Sequence, residues 1–294
     1  MSTPWVEISR YFRVIKRKEG RRNEGESCGP SRDMMFFYYF CFLLVIGVDS
    51  ASIFCLIHTA TPSHATRAHT ILETWAKRCD DFIFFTDSPM SADIPHIYWK
   101  ELHSRDHSWE KIRRIFNHVV DEMEDEYDWY LRADDDAYVI VENLRHFLAN
   151  YSSKEPHYFG YRWNFFVPHG YADGGVYVLS RPAVEVFNRV MEDPKLCPEL
   201  HRAEEDQEMG RCLAAAGIYP EDTRDENGSD RFHHFHPTEQ LVMYKDPFAR
   251  KNAYYPPLKG ANNFSPQMIG FHHLSPYEMR VFDYFLYKLK RRAS

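Results

Sequence analysis

The feature that most constrains the fold is an alternation of short apolar runs with segments of helical spacing. The apolar runs predict strands at 53–57, 82–87, 94–99 and 129–133. Periodic apolar positions predict helices at 67–78, 109–124 and 141–151. Because the strands are apolar throughout rather than at every second residue, they favour a mostly parallel sheet with helices on both faces. A chain of 294 residues is long enough for one large α/β domain or two small ones.

The second half of the chain is less regular. It predicts a strand at 158–161, a turn leading into a strand at 171–180, and helices at 181–191, from 204 onward and at 277–289. Gly174 and Gly175 in the predicted turn can let the backbone come close to a ligand.

Three consecutive carboxylates, Asp134, Asp135 and Asp136, stand between two apolar runs. Adjacent carboxylates repel one another unless a cation lies among them. At the edge of a sheet they would make a hard oxygen site for Mg²⁺ or Mn²⁺, with room for phosphate oxygens. The alternative is a solvated acidic turn. The flanking apolar runs favour the metal site, because partly buried charge needs a partner.

Polar residues follow three of the predicted strands, at 58–61, 86–87 and 134–136. In a parallel sheet these would emerge together at the carboxyl edge, where ligands bind. His272 or His273 could add an imidazole ligand, which Mn²⁺ accepts more readily than Mg²⁺; each could equally be an ordinary surface or core histidine. A metal ion with open positions suits a nucleotide diphosphate, because it neutralises charge on the leaving group.

A second acidic cluster lies at 204–206. It could hold a general base that deprotonates an attacking hydroxyl. It could equally be favourable charge at a helix N-terminus.

Seven Lys and Arg residues between positions 10 and 22 precede an uncharged apolar run at 34–48. This order predicts a cytosolic tail at 1–33, a signal anchor at 34–48 and a lumenal domain at 51–290. The run is short, since a spanning helix needs about 20 apolar residues. A cleaved signal peptide and a buried core helix are the alternatives.

Three sequons, at Asn150, Asn227 and Asn263, agree with a lumenal location. Six cysteines are compatible with an oxidising compartment. Four of them could form two bridges or remain buried thiols: Cys55, Cys79, Cys197 and Cys212. The net charge of -7 gives no indication of a nucleic-acid partner.

Several motifs occur together in one order, at 70–79, 133–145, 170–175, 177–180, 205–212 and 223–226. The first ends in Thr-Trp-Ala-Lys-Arg-Cys, the second begins Ala-Asp-Asp-Asp-Ala-Tyr, and the fifth reads Glu-Asp-Gln-Glu-Met-Gly-Arg-Cys. In this combination the chain resembles the core 1 β1,3-galactosyltransferase family, the glycoprotein-N-acetylgalactosamine 3-β-galactosyltransferases related to Fringe. The resemblance covers roughly residues 51–290.

The resemblance implies a GT-A fold in a single-pass type II protein of the Golgi membrane. It implies an Mn²⁺-dependent enzyme that uses UDP-galactose and inverts the anomeric centre. The acceptors would be glycoproteins that carry GalNAc on Ser or Thr, with galactose placed on the 3-hydroxyl. It also implies bridges Cys55–Cys79 and Cys197–Cys212. A homodimer could form through an exposed aromatic surface.

The resemblance also assigns site residues by position. Asp134 and Asp136 fall on the metal and nucleotide carboxylates, with Asp135 between them, and His272 matches the metal-binding histidine. Asp206 falls on the candidate general base, with Glu205 beside it. The UDP pocket would be lined by the segments that contain Thr59, Arg67, Asp87, Arg105 and Lys111. The acceptor side would contain Tyr161, Trp163, Tyr171, Asp173, Gly174 and Gly175.

The chain departs from the family at three places. It has no polar stem between the apolar run and the first strand, its loop before Tyr177 is one residue shorter, and a late cysteine pair is replaced near 262–265. The shortened loop could alter acceptor binding. Two alternatives therefore remain beside the galactosyltransferase: an enzyme that transfers another sugar, such as GlcNAc or glucuronic acid, and a non-catalytic chaperone-like or lectin-like relative. The intact triplet and the Glu205-Asp206 pair favour an enzyme.

Overall fold

The protein is described by a computed structural model over residues 51–123 and 127–290. The predicted cytosolic tail and signal anchor lie outside these residues. Within the described ranges, no helix is both long and apolar enough to cross a membrane.

The described residues form eight strands: β1 (Ile53–His58), β2 (Asp81–Thr86), β3 (His96–Tyr98), β4 (Trp129–Asp134), β5 (Tyr138–Val139), β6 (Tyr158–Trp163), β7 (Tyr171–Ser180) and β8 (Gly270–Phe271). Six of them make a central sheet in the order β3-β2-β1-β4-β7-β6. β1 is parallel to β2 and β4, and β2 is parallel to β3. β7 is antiparallel to both β4 and β6. The predicted mostly parallel sheet is confirmed.

The α-helices of the same residues are α1 (His69–Glu73), α2 (Ser108–Asp121), α3 (Val141–Leu148), α4 (Arg181–Met191), α5 (Glu205–Ala215), α6 (Pro237–Gln240), α7 (Pro247–Asn252) and α8 (Pro276–Asp283). Alternate residues of β1 face opposite layers, and both sets are buried. Cys55 and Ile57 pack in one core with Ile71 of α1 and Leu144 of α3, whereas Leu56 is buried on the other face. Helices therefore cover both faces, as a strand with no polar side predicts.

The small sheet of β5 and β8 joins the end of the chain to the aspartate triplet. Tyr138 pairs with Phe271, and Val139 pairs with Gly270. Just beyond the pairing, the Leu274 amide donates to the Asp136 carbonyl at 2.9 Å. Since these bonds fix the backbone on both sides of residue 272, His272 is held beside Asp136.

The prediction of one continuous helix at 67–78 is wrong. The segment consists of a π-helical turn at His64–Ala68, the short α1, and a 3₁₀ turn at Ala76–Arg78. The hydroxyls of Thr70 and Thr74 donate to the carbonyls four residues before them, at 2.8 and 2.7 Å. Such back-bonding bends helices, and the backbone leaves the helical region at Thr74.

Two further predictions differ from the structure. The turn predicted within 171–180, at Gly174 and Gly175, is wrong, because all of these residues belong to the single strand β7. The predicted helix at 277–289 ends as an α-helix at Asp283 and continues as a π-helical turn, Tyr284–Lys288. Elsewhere the helices lie close to the predicted ranges, with α4 matching 181–191 at both ends.

Two disulfides join Cys55 to Cys79 and Cys197 to Cys212. The first connects β1 to the segment before β2. The second connects α5 to the segment that precedes it. These are the pairings that the resemblance implies.

Candidate active site

The polar ends of β1 and β4 meet at the carboxyl edge of the sheet. The Thr59 hydroxyl donates to Asp135 Oδ2 at 2.7 Å. Arg67 Nη1 lies 3.2 Å from Asp135 Oδ1 and 3.6 Å from Asp136 Oδ2. Asp87, at the end of β2, accepts hydrogen bonds from the amide and hydroxyl of Thr61, both at 2.8 Å. The polar residues that follow β1, β2 and β4 therefore lie at the carboxyl edge of the sheet, as the sequence predicts.

Asp134, Asp136 and His272 form a compact group of metal-ligand atoms. His272 Nε2 lies 3.0 Å from Asp136 Oδ1 and 3.6 Å from Asp134 Oδ2. One ligand atom from each residue lies within 4.8 Å of the others. Two carboxylate oxygens and one imidazole nitrogen suit a divalent ion such as Mn²⁺. The fold thus assembles a candidate metal site from residues up to 138 positions apart.

His272 is held from behind by β7. Its Nδ1 lies 3.5 Å from Asp173 Oδ1, and Asp173 Oδ2 accepts from Trp163 Nε1 at 2.9 Å. A carboxylate on the second ring nitrogen is the usual support for a metal-binding histidine. A side chain at Gly175 would overlap the His272 ring, so this position must be glycine. Asp173 and Trp163, expected on the acceptor side, are buried behind the histidine.

Arg132 is a site residue that sequence reasoning missed. Its guanidinium is buried, with Nη2 2.7 Å from Asp134 Oδ1 and 2.9 Å from Glu205 Oε1. It also donates to the Gly174 carbonyl. A charge inside the apolar run Leu131-Arg132-Ala133 was the available clue, because a buried charge needs partners.

The electrostatic environment keeps the metal-site carboxylates ionised. Burial acts to raise the pKa of Asp134, but Arg132 and hydrogen bonds from His272 and His58 hold it well below the usual value. At Asp136 burial is likewise outweighed by His272 and His273, and the pKa is lowered. Burial lowers the pKa of the nearby Lys111 ammonium, against the attraction of Asp87 and Asp134. The site therefore offers two anionic oxygen ligands at neutral pH.

Glu205 and Asp206 begin α5 and face the middle of β7. Asp206 Oδ2 accepts from the Gly174 amide at 3.0 Å, and burial, with the charge of Asp173, raises its pKa to about 7. Glu205 is buried against Arg132, and burial raises its pKa to about 8. Asp206 is the more exposed of the two, so it is better placed to meet a substrate.

The other predicted residues take different positions. The Tyr171 hydroxyl accepts from Gln207 Nε2 at 3.5 Å, which places it beside α5. Tyr161 is buried. Arg105 is exposed on the 3₁₀ turn Arg105–His107, and none of the contacts in the described part of the chain joins it to the aspartates.

Replacing Arg132 by Met is expected to lower the free energy of unfolding by about 3–5 kcal/mol, because the buried Glu205 and the partly buried Asp134 would lose their counterion. Urea unfolding followed by circular dichroism measures this change. The control is Arg280→Met, since Arg280 pairs with Glu73 at 2.7 Å and the two side chains are 43% and 45% exposed. The control should change stability by no more than about 1 kcal/mol. Equal losses in both variants would contradict the role given to Arg132.

The chain is similar to known proteins over much of its length. A family model described as Fringe-like matches residues 48–218. The chain is 32% identical over 247 residues to the Xenopus laevis glycoprotein-N-acetylgalactosamine 3-beta-galactosyltransferase 1, a match covering 81% of this chain and 67% of that protein. It is 25% identical over 186 residues to the mouse beta-1,3-glucosyltransferase, covering 62% of this chain and 37% of that protein.

Among solved structures, the galactosyltransferase LgtC matches with a TM-score of 0.46 at 10% identity, covering 81% of this chain and 97% of that one. Mouse xyloside xylosyltransferase 1 matches with a TM-score of 0.41 at 11% identity, covering 76% and 98%. The family match spans more than half of this chain, and the Xenopus match spans most of it. The chain therefore belongs to the Fringe-like family of glycosyltransferases.

Proposed function

We propose that the enzyme transfers galactose from UDP-galactose to the 3-hydroxyl of GalNAc linked to Ser or Thr of glycoproteins, with inversion and with Mn²⁺ as cofactor. The observation that carries the proposal is the short chain of contacts between a metal site and a carboxyl group that can act as base. Asp134 contacts Arg132, Arg132 contacts Gly174, and Gly174 contacts Asp206. The similarity to the Xenopus galactosyltransferase supports the choice of donor and acceptor.

The donor side would be built from the carboxyl edge of the sheet. Asp134, Asp136 and His272 would hold Mn²⁺, which when bound neutralises charge on the departing diphosphate. Arg67 is partly exposed beside the triplet and can add positive charge near the phosphates. Lys111 is buried within the field of Asp87 and Asp134, and it balances their charge.

The acceptor side would lie over Gly174 and the start of α5. Asp206 takes the proton of the acceptor hydroxyl as that oxygen bonds to the anomeric carbon. The bond from this carbon to the phosphate oxygen breaks in the same step, and UDP leaves with the electron pair. A single displacement inverts the anomeric centre and forms no covalent enzyme intermediate.

The location proposed is the Golgi membrane, with residues 34–48 as the anchor and residues 51–290 in the lumen. Two disulfides and the exposed sequons at Asn150 and Asn227 support an oxidising, glycosylating compartment. The third predicted sequon is different, because Asn263 is buried and its side chain accepts from the Leu258 amide at 2.8 Å. A homodimer would use the exposed aromatic residues around α8, of which Tyr277 is 81% exposed.

A donor panel tests this function. The full chain is supplied with Mn²⁺, a GalNAc-peptide, and UDP-galactose, UDP-glucose, UDP-GlcNAc or UDP-glucuronic acid, and UDP release and product linkage are measured. We expect turnover with UDP-galactose and a β1,3-linked product. If UDP is released only with another donor, the enzyme transfers the sugar of that donor instead of galactose. The absence of release with every donor would favour a non-catalytic relative.

The pH dependence of the rate follows from Asp206. Its pKa is raised to about 7, and only the deprotonated carboxylate can accept a proton. We therefore expect kcat/KM to fall as the pH decreases through about 7. UDP affinity, measured by calorimetry over the same range, is the control for loss of the donor site. A rate that stays constant between pH 7 and pH 5 would contradict Asp206 as the base.

A further inference from the structure

A second group of metal-ligand side chains lies outside the active site. His107 and Glu110 stand at the start of α2, and His201 comes from the segment before α5. His201 Nδ1 lies 2.9 Å from Glu110 Oε2, and His107 Nδ1 contacts the same oxygen. The two imidazole rings are 4.8 Å apart, and the three ligand atoms lie within 4.8 Å of one another.

These donors match the chemistry of zinc. Two imidazoles and one carboxylate are a set that Zn²⁺ binds with a fourth position left for water. Bonds of about 2.0–2.2 Å place tetrahedral ligand atoms ~3.3 Å apart. His201 Nδ1 and Glu110 Oε2, at 2.9 Å, therefore need to separate by only a few tenths of an ångström, whereas His107 Nδ1, which is closer to that oxygen, must move further. The side chains of His107, Glu110 and His201 are 26%, 30% and 70% exposed, so an ion can enter from solvent. We propose that His107, Glu110 and His201 form a zinc site.

The site would tie α2 to the segment 197–204. Trp109 already contacts this segment twice: its Nε1 donates to the Pro198 carbonyl at 2.9 Å, and its amide donates to the Arg202 carbonyl at 3.0 Å. The segment is closed at its start by the Cys197–Cys212 disulfide and leads into α5. Arg113 of α2 also contacts Glu199 of the segment at 3.3 Å. Zinc would therefore strengthen an existing set of contacts and restrict the chain just before Glu205 and Asp206.

Calorimetric titration with Zn²⁺ tests the site. The full chain is titrated in a His272→Ala background, because His272 belongs to both other candidate metal groups of the described residues. We expect this variant to bind one equivalent of Zn²⁺. Adding His201→Ala should abolish that binding without unfolding the chain, since His201 is mostly exposed. The matched control adds His103→Ala, an exposed histidine of the same region, and should still bind one equivalent.

Hydrogen exchange supplies a second measurement. Zinc should slow amide exchange in residues 197–204 of the His272→Ala protein and of the His103→Ala control, and should have no effect when His201 is replaced. Binding of one equivalent with unchanged affinity after His201→Ala would overturn the proposal. So would the absence of binding in the His272→Ala protein while its circular dichroism remains native. Neither result bears on the proposed galactosyl transfer, because His272→Ala is expected to be inactive whether or not zinc binds.

Discussion

Asp206→Asn is expected to lower kcat by about 10²–10⁴-fold, the usual contribution of a general base, while leaving UDP affinity unchanged. The amide keeps the shape of the carboxyl group and can still accept from the Gly174 amide, so β7 and α5 should stay in place. It cannot take the proton of the acceptor hydroxyl. Steady-state kinetics with the GalNAc-peptide and calorimetry with UDP measure the two effects.

The matched control is Glu204→Gln, which removes a charge from the adjacent, exposed residue. Glu204 pairs only with the neighbouring Arg202 among its described ion pairs, at 3.3 Å. Turnover by this variant should stay within about twofold of the parent enzyme, since exposed pairs contribute little. A normal rate for Asp206→Asn would place the base elsewhere.

Asp136→Ala is expected to abolish Mn²⁺-dependent turnover, with a loss of about 10³-fold or more, because metal stabilisation of the leaving group is worth several kcal/mol. The substitution removes one of the two carboxylates that contact His272 Nε2. It also removes a charge from a crowded acidic group, so the fold should be retained. Electron paramagnetic resonance of free Mn²⁺ measures binding, and UDP release measures turnover.

Asp121→Ala is the control for the loss of a carboxylate, since Asp121 is exposed at the end of α2. It should bind Mn²⁺ and turn over as the parent enzyme does. Retained activity in Asp136→Ala would show that the metal assignment is wrong. Lost activity with normal Mn²⁺ binding would instead give Asp136 a role on the nucleotide.

The parts of the fold that could be predicted from sequence depend on local patterns. The strands β1 and β2 contain continuous apolar runs, and the run in β4 is broken only by Arg132. Their ends deliver Thr59, Asp87 and Asp134 to one edge because parallel strands share a direction. The triplet itself was recognisable because its flanks are apolar. The role of Asp206 came from the resemblance and not from the pattern of charges, which suits a helix N-terminus equally well.

The parts that could not be predicted depend on contacts between distant positions. Arg132 forms an ion pair with Glu205, which is 73 positions away in the sequence. A local pattern of apolar and polar residues cannot predict such a pair. The direction of β7 was also hidden, because Gly174 and Gly175 resemble a turn until the ring of His272 is placed against them. The contact of Asp173 with His272, at 3.5 Å, was hidden for the same reason, because it joins positions 99 residues apart.

The reversed direction of β7 determines which loop lies at the edge of the sheet that carries the aspartates. Ala133 pairs with Val176, so the beginning of β7, rather than its end, reaches the catalytic edge. The loop at 164–170 leads into β7 at this edge. It is not part of the connections that follow β1, β2 and β4 there. Changes in the length of this loop would therefore alter the proposed acceptor side without displacing β1, β2 or β4, which carry Thr59 and the aspartates to that edge.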